Sequence, residues 1–337
     1  MKRYTNKEVA EMAGVSPAAV SLAINGKKGV SEETRARIMS IVEHVNYLPN
    51  PNSRRLLSSR TNNIAVLVRN DMCAIDRLFY TELTESILNT CDHKVTNLVF
   101  STLQQHDGHS MLPQLIRSRD VDGILIYGDI DSNVLLEITN YEIPFVTLDS
   151  SLHENKHLTV GVDYSMAAYT ATQYLLKCGH RDIAYIGNSA NSQKHFNYAV
   201  FSGFQRALTE VGVVLPVNRI QINVYDENAL YDSIQQTLGG AVQPTALFCA
   251  TDVYGCHAIR YLRSLGYAVP DDISVIGIDD IVISQFTTPA LTTVCVDLQT
   301  IGREGYHLLQ RRIAGESCES ILLPSEQLII RDSVKIL

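Results

Sequence analysis

A chain of 337 residues has the length for two or three domains of ordinary size and for a substantial buried core. Its 45% hydrophobic content excludes a disordered protein, and it has no run of about 18 apolar residues that would cross a membrane. The net charge of −8 argues against nucleic acid until its distribution is read: residues 1–60 carry ten Lys/Arg against five Glu, net +5, which leaves −13 for the rest. Such a chain joins a head that seeks phosphates to a body that avoids them.

The start, MKRYTNKEVAEMAG, places no apolar stretch behind its basic residues, so the expected location is the cytoplasm, with no membrane partner. Seven cysteines are scattered, odd in number and never spaced as C-x-x-C. Most lie in apolar runs such as ALFCA and TTVCVD. They read as small buried hydrophobes, not disulfides or metal ligands, and no cofactor is expected.

In chain order, Val9, Ala10, Met12 and Ala13 make a short amphipathic helix that Gly14 stops. Ser16 is a good N-cap for a second helix, Pro17 suits its first position, and Ala19, Val20, Ala23 and Ile24 supply a buried face. Ser31-Glu-Glu-Thr signals a third, continued by Ile38, Ile41, Val42 and Val45. Two short helices joined through Ala-Gly-Val-Ser have the geometry that lets the second enter a DNA major groove. A small helical bundle without a ligand fits the spacing too; the basic surplus favours the groove.

The phrases EVAEMAGVSPAAVSLAING, VSEETRARI and VNYLPN resemble the head of the LacI/GalR family of repressors, with two departures: Ala19 stands where Thr is usual and Leu22 where Arg is usual. The resemblance implies a homodimer on palindromic double-stranded operator DNA, one head per half-site. It implies base reading by Pro17, Ala18 and position 22. There Leu22 offers apolar contact, for instance to thymine methyls, in place of a bidentate pair with guanine. Thr5, Ser16, Ser21, Asn25, Ser31 and Thr34 match positions that hold phosphates, although helix capping explains the serines and threonines at helix starts equally well.

Residues 50–57 place Asn as a cap and Pro at the first helical position, followed by too few residues for a stable isolated helix. They resemble the family's hinge. The resemblance implies that Leu56 wedges into the minor groove while Arg54 and Arg55 stay near phosphates; a basic interdomain linker is the alternative.

From residue 62 on, the apolar runs NIAVLV, TNLVF, DGILIYG, PFVTLDS, DIAYIG, IQINV, ALFCA and SVIGID alternate with helical stretches at 165–179, 197–212 and 254–265. That alternation argues for an α/β body whose parallel sheets are covered on both faces, with ligands beyond the carboxyl ends of the strands. TVGVDYS at 159–165 reads as a crossing between two lobes. The phrases VPDDISVIGIDDI, GHRDIAYIG and the Pro-x-Leu-Thr-Thr at 289–293 extend the resemblance to nearly the whole chain. They imply an all-α helix-turn-helix head (1–49), a hinge (50–61) and a periplasmic-binding-protein-like body of two doubly wound parallel-sheet lobes. The N-terminal lobe takes 62–161 plus 292–321, the C-terminal lobe 162–291 plus 322–337.

Asp149 ends one strand run and Asp279 another, so both are expected at the cleft, where carboxylates accept hydrogen bonds from a polyhydroxylated ligand; capping of a neighbouring loop is the other reading. Both match effector positions of the family. Other matches fail: Val200 stands where Arg is usual and Thr251 where Asn is usual. The resemblance implies that Tyr225 stacks on a sugar face, a plain surface tyrosine being the other reading, and Arg69, Asn70 and Tyr80 are placed to line the cleft in compensation. The expected effector is a small polar molecule, a sugar first; a cleft that has lost sugar binding and answers to another metabolite or a protein is the alternative.

An enzyme lacks support, since no G-x-S-x-G, H-E-x-x-H or phosphate-loop pattern is present. A periplasmic solute-binding protein would share the body but not the basic head. The terminal IIRDSVKIL carries no heptad pattern, so a dimer is expected and not a tetramer. The hinge reading predicts that Leu56→Ala weakens operator binding sharply with the fold intact; an unchanged affinity in a gel-shift titration contradicts the wedge.

Overall fold

The computed structural model describes residues 4–24, 26–47, 60–69, 76–93, 95–106, 109–150, 157–188, 195–224, 226–240 and 242–337. They form two compact units, 1–61 and 62–337.

In the first unit, helix α1 (Asn6–Ala13) opens on a capping box. Thr5 accepts the Glu8 N–H while the Glu8 carboxylate takes the Thr5 N–H, and Gly14 closes the helix at φ 63°, a left-handed conformation that glycine adopts without strain. Helix α2 (Pro17–Ile24) starts on Ser16, whose hydroxyl accepts the Ala19 N–H at 3.2 Å. Helix α3 (Glu32–His44) is capped by Ser31 and carries Glu32 and Glu33 in its first turn, where the helix dipole favours acids. Val9, Ala10, Ala13, Val20, Ala23, Ile38 and Tyr47 close the core of this small unit.

The second unit is built on two sheets. The first contains β1 (Asn63–Arg69), β2 (Asn97–His106), β3 (His109–Met111), β4 (Gly123–Tyr127), β5 (Phe145–Leu148), β6 (Thr159–Val162) and β12 (Ile321–Leu323), in the order β12-β6-β5-β4-β1-β2-β3. The second contains β7 (Ile183–Ile186), β8 (Ile220–Gln221), β9 (Ala246–Cys249), β10 (Ser274–Asp279), β11 (Thr292–Cys295) and β13 (Leu328–Ile329), in the order β13-β11-β10-β9-β7-β8. Pairing is parallel except for β2 with β3 and β11 with β13.

The alternation along β1 shows why the apolar runs are continuous. Ile64 and Val66 join one core cluster, Ala65 and Leu67 the other, so both faces are covered. Helices α4 (Asp76–Thr90) and α11 (Leu298–Ile313) supply one layer, through Leu83 and Ile301. Helices α5 (Gln114–Arg117) and α6 (Ser132–Asn140) supply the other, through Ile116 and Ile138. In the second lobe, α7 (Tyr164–Lys177) and α8 (His195–Glu210) cover one side of the sheet, while α9 (Glu227–Leu238) and α10 (Asp252–Ser264) complete the lobe.

Three crossings join the lobes, after β6, β11 and β12. Two share one device. Asp163 follows β6 and caps α7 by accepting the Met166 N–H; Asp297 follows β11 and caps α11 by accepting the Thr300 N–H. Their backbones nearly coincide, at φ −81° and ψ 78° against φ −76° and ψ 78°.

The lobe boundaries differ from those expected. Thr292–Cys295 pairs with Ile276–Asp279, so these residues belong to the second lobe and the chain crosses back only after them. Ile321–Leu323 pairs with Val160–Val162, which keeps the first lobe going two residues past 321. The apolar TTVC run gains a second buried face by extending the parallel ladder of β10. IQINV contributes only the two-residue strand Ile220–Gln221.

Gly203 fixes the approach of α8 to α7: a Cβ there would lie 2.0 Å from the Ser165 carbonyl oxygen, which is backbone and cannot swing away. Gly203→Ala therefore destabilises by about 3 kcal/mol, the scale of overpacking a filled core. Urea unfolding checks it; an unshifted midpoint contradicts this close approach.

Candidate functional site

On the head, Ser16, Pro17 and Ala18 are exposed at the start of α2, while Ser21 and Leu22 are half-buried. Leu22 lies over the loop that follows: a Cβ on Gly29 would come within 3.2 Å of its Cδ1. Ser31 and Thr34 are engaged with each other, the Ser31 hydroxyl donating to Thr34 Oγ1 at 2.8 Å and accepting the Thr34 N–H. Thr5, Ser16 and Ser31 thus all serve as helix caps, the simpler of their two readings.

Arg35 carries a role that counting charges does not reveal. Its guanidinium donates to the carbonyls of Ala23 and Lys27 at 2.7 Å each and reaches that of Leu22 at 3.4 Å. It thereby adds a second donor to the Leu22 and Ala23 carbonyls, which also take the Lys27 and Gly26 N–H, and ties the loop at Lys27 to the end of α2. No spacing rule pairs a residue early in α3 with the end of α2. Asn25, Arg54, Arg55, Leu56, Asn70 and Tyr225 lie outside the described residues.

In the body, both sheets reverse strand order beside their first strand, between β1 and β4 and between β7 and β9, which is where open parallel sheets bind ligands. Asp149 follows β5 with φ 59°, and Asp279 ends β10 with φ 126°, both in the region that non-glycine residues rarely adopt. Tyr164, the first residue of α7, donates to Asp149 Oδ1 at 2.5 Å. Tyr80 on α4 approaches Oδ2 of the same carboxylate at 3.4 Å. The Tyr80 ring stacks on Tyr127 with centroids 5.1 Å apart, and the Tyr164 ring meets Phe196 edge-on at 4.5 Å. Burial, then the charges of Asp149 and Asp279, hold the Tyr164 phenol well above its ordinary pKa, so it keeps its proton and acts as a donor.

The structure thus brings Asp149 and Tyr80 together, with Asp279 close enough to act on the Tyr164 phenol. Arg69 reaches the Asp129 carbonyl at 3.4 Å, and Asp129 in turn accepts from Ser150 at 2.5 Å. Thr251 stands at the start of α10, where its side chain makes no capping hydrogen bond. Val200 is buried in the apolar core. Sequence reasoning missed Tyr164 and Phe196; the signal for Tyr164 was its place directly after a lobe crossing.

A buried acid lies behind Thr251. Asp252 accepts from Thr293 Oγ1 at 2.5 Å, while its Oδ2 is buried with no hydrogen-bond partner among the described residues. Burial, reinforced by the charge of Asp280, pushes its carboxyl up to about 7 against the opposing effects of the Thr293 and Ile281 hydrogen bonds and of Arg331. Arg331 also pins the loop after β10, binding Asp280 at 2.5 Å, the Leu291 carbonyl at 2.8 Å and Ser284 at 3.1 Å. Among the described residues no group of His, Cys, Asp and Glu could hold a metal ion, and no helix is long and apolar enough to cross a membrane.

A model of bacterial regulatory proteins, lacI family, matches residues 5–50, and one of a periplasmic binding protein-like domain matches residues 172–334. The chain is 32% identical over 339 residues to the HTH-type transcriptional repressor PurR of Histophilus somni, covering 99% of each. Among solved structures it is similar to a transcriptional regulator CelR–cellobiose complex, with TM-score 0.71 and 27% identity over 98% of this chain and 100% of the other. A lac repressor dimer bound to operator and the anti-inducer ONPF shares the fold, with TM-score 0.83 and 22% identity over 99% of this chain and 100% of the other.

The raised pKa of Asp252 has a sign. The unfolded carboxyl titrates near its ordinary value of about 4, so the folded state is penalised progressively as pH rises from there through about 7, and fully above it. Raising the pH from about 6 to about 8 lowers the thermal midpoint of the parent by more than that of Asp252→Asn. Equal slopes contradict the assignment.

Proposed function

Because this chain belongs to the lacI family of bacterial regulatory proteins, we propose that it is a transcription repressor which binds a palindromic operator as a homodimer and answers to a small polar effector in the cleft of its body. The observation that carries this reading is the union, in one chain, of a basic helix-turn-helix that exposes Pro17 and Ala18 and a two-lobed body with Asp149 and Asp279 at its strand ends. The hinge at 50–61, with Leu56 as the wedge, joins the two functions: a ligand that prefers one lobe arrangement shifts DNA affinity by its differential binding, and DNA shifts ligand affinity reciprocally.

The chemistry around Asp149 supports an uncharged, hydroxyl-rich effector such as a sugar. Its carboxylate accepts from hydroxyls, and the phenols of Tyr80 and Tyr164 with the ring of Phe196 bring donors and aromatic faces suited to a sugar. Val200 brings no cation with which to hold a phosphate or carboxylate. That apolar substitution also favours the second reading, a cleft that answers to a metabolite other than a sugar. Thermal shift across sugars, polyols and nucleosides separates the two.

On the DNA side, Leu22→Arg supplies a bidentate donor pair for guanine, and binding-site selection should move toward guanine at the base facing position 22. An unaltered selection profile shows that position 22 reads no base. Competition by salt tests the phosphate contacts of the same head, since counterion release makes such binding fall steeply with ionic strength.

A further inference from the structure

We propose that Tyr164 sets the specificity of the cleft as a built-in competitor: its phenol occupies Asp149 from the opposite lobe, and only a ligand whose hydroxyls replace that donor is admitted. The inference rests on the effector reading of the cleft.

Asp149 and Tyr164 sit on different lobes. Asp149 is held by the first sheet, its N–H donating to the Val160 carbonyl at 2.9 Å beyond the end of β5. Tyr164 opens α7, which packs on α8 and on β9, β10 and β11 of the second lobe. The hydrogen bond between them, at 2.5 Å, therefore spans the crossing that follows β6. Phe196 seats the Tyr164 ring edge-on, which fixes the direction of the phenol.

A hydrogen bond to an ionised acceptor is about twice as strong as a neutral one, so this contact is both a clasp on the lobes and an obstacle to a ligand. Asp149 is only half-buried and open to approach, whereas Tyr164 is 6% exposed. A ligand hydroxyl that donates to Asp149 restores what the phenol gives up. An anionic ligand donates nothing in place of the phenol and meets the negative charge of Asp149. A separate cross-lobe bond, from the Val282 N–H to Glu82 at 2.7 Å, does not involve the phenol.

The test uses the full-length protein with Tyr164→Phe, Asp149→Asn and the double variant. In a thermodynamic cycle on urea unfolding, the pair is expected to couple by about tenfold in the folding equilibrium constant; additive single effects overturn the contact. With cellobiose, ribose and ribose 5-phosphate as calorimetric probes, Tyr164→Phe is expected to bind whichever neutral sugar the parent binds about tenfold more tightly. Ribose 5-phosphate should bind neither protein. Unchanged or weaker sugar binding by Tyr164→Phe, or tight binding of the phosphate ester, overturns the competitor role.

If no sugar binds either protein, the effector reading fails and the specificity role falls with it. The unfolding cycle separately reports whether the clasp exists. Should Tyr164→Phe fail to fold, tyrosine labelled at Cζ gives a second readout in the parent. One resonance is expected to move both in Asp149→Asn and on addition of the bound sugar, and a resonance that moves in neither overturns the proposal.

Discussion

Neighbouring strands that run the same way cannot be joined by a tight turn, so the chain must travel back along the sheet before it pairs again. In this body the constraint applies twice. It sends helices over both faces of each sheet and leaves the carboxyl ends of β1, β4 and β5 in one lobe, and of β9 and β10 in the other, to carry residues that are not needed for packing. Arg69, Asp149, Thr251 and Asp279 all occupy such positions. The left-handed backbone at Asp149 and Asp279 fits the same picture, since strain of that kind persists only where the surroundings over-determine it.

A chain that places carboxylates at the ends of two sheets must satisfy them with donors. Around Asp149 it uses phenols, which donate without adding charge; burial, and then the negative charge of Asp149 and Asp279, keep the Tyr164 proton in place. Around Asp280 it uses a cation, Arg331, which also ties the end of the chain to the loop after β10. Asp252 receives the Thr293 hydroxyl on one oxygen while the other is buried with no hydrogen-bond partner among the described residues, and burial favours its protonated form. Three acids within one body thus meet burial in three different ways.

Much of this was legible in the sequence for local reasons. Thr5, Ser16 and Ser31 as caps, Gly14 as a stop and the continuous apolar strands follow from neighbours a few residues away, and the structure keeps each of them. What escaped depends on contacts across long stretches of chain. Tyr164 looks like an ordinary helix residue until β5 brings Asp149 beside it, and Arg35 looks like one more surface charge until α2 ends against it. The lobe boundary failed for a related reason. TTVCVD is apolar enough for either sheet, and only the ladder with β10 decides that it belongs to the second.

Arg35 also alters what the charge of the head means for binding. Affinity for a polyanion at low ionic strength is driven largely by the counterions that basic groups release from the phosphates. A guanidinium whose donors are committed to the carbonyls of Ala23 and Lys27 has its orientation set by the protein, so it can displace few ions of its own. The salt sensitivity of this head should accordingly fall short of its nominal charge. What Arg35 gives up in electrostatic reach it returns as rigidity at the end of α2.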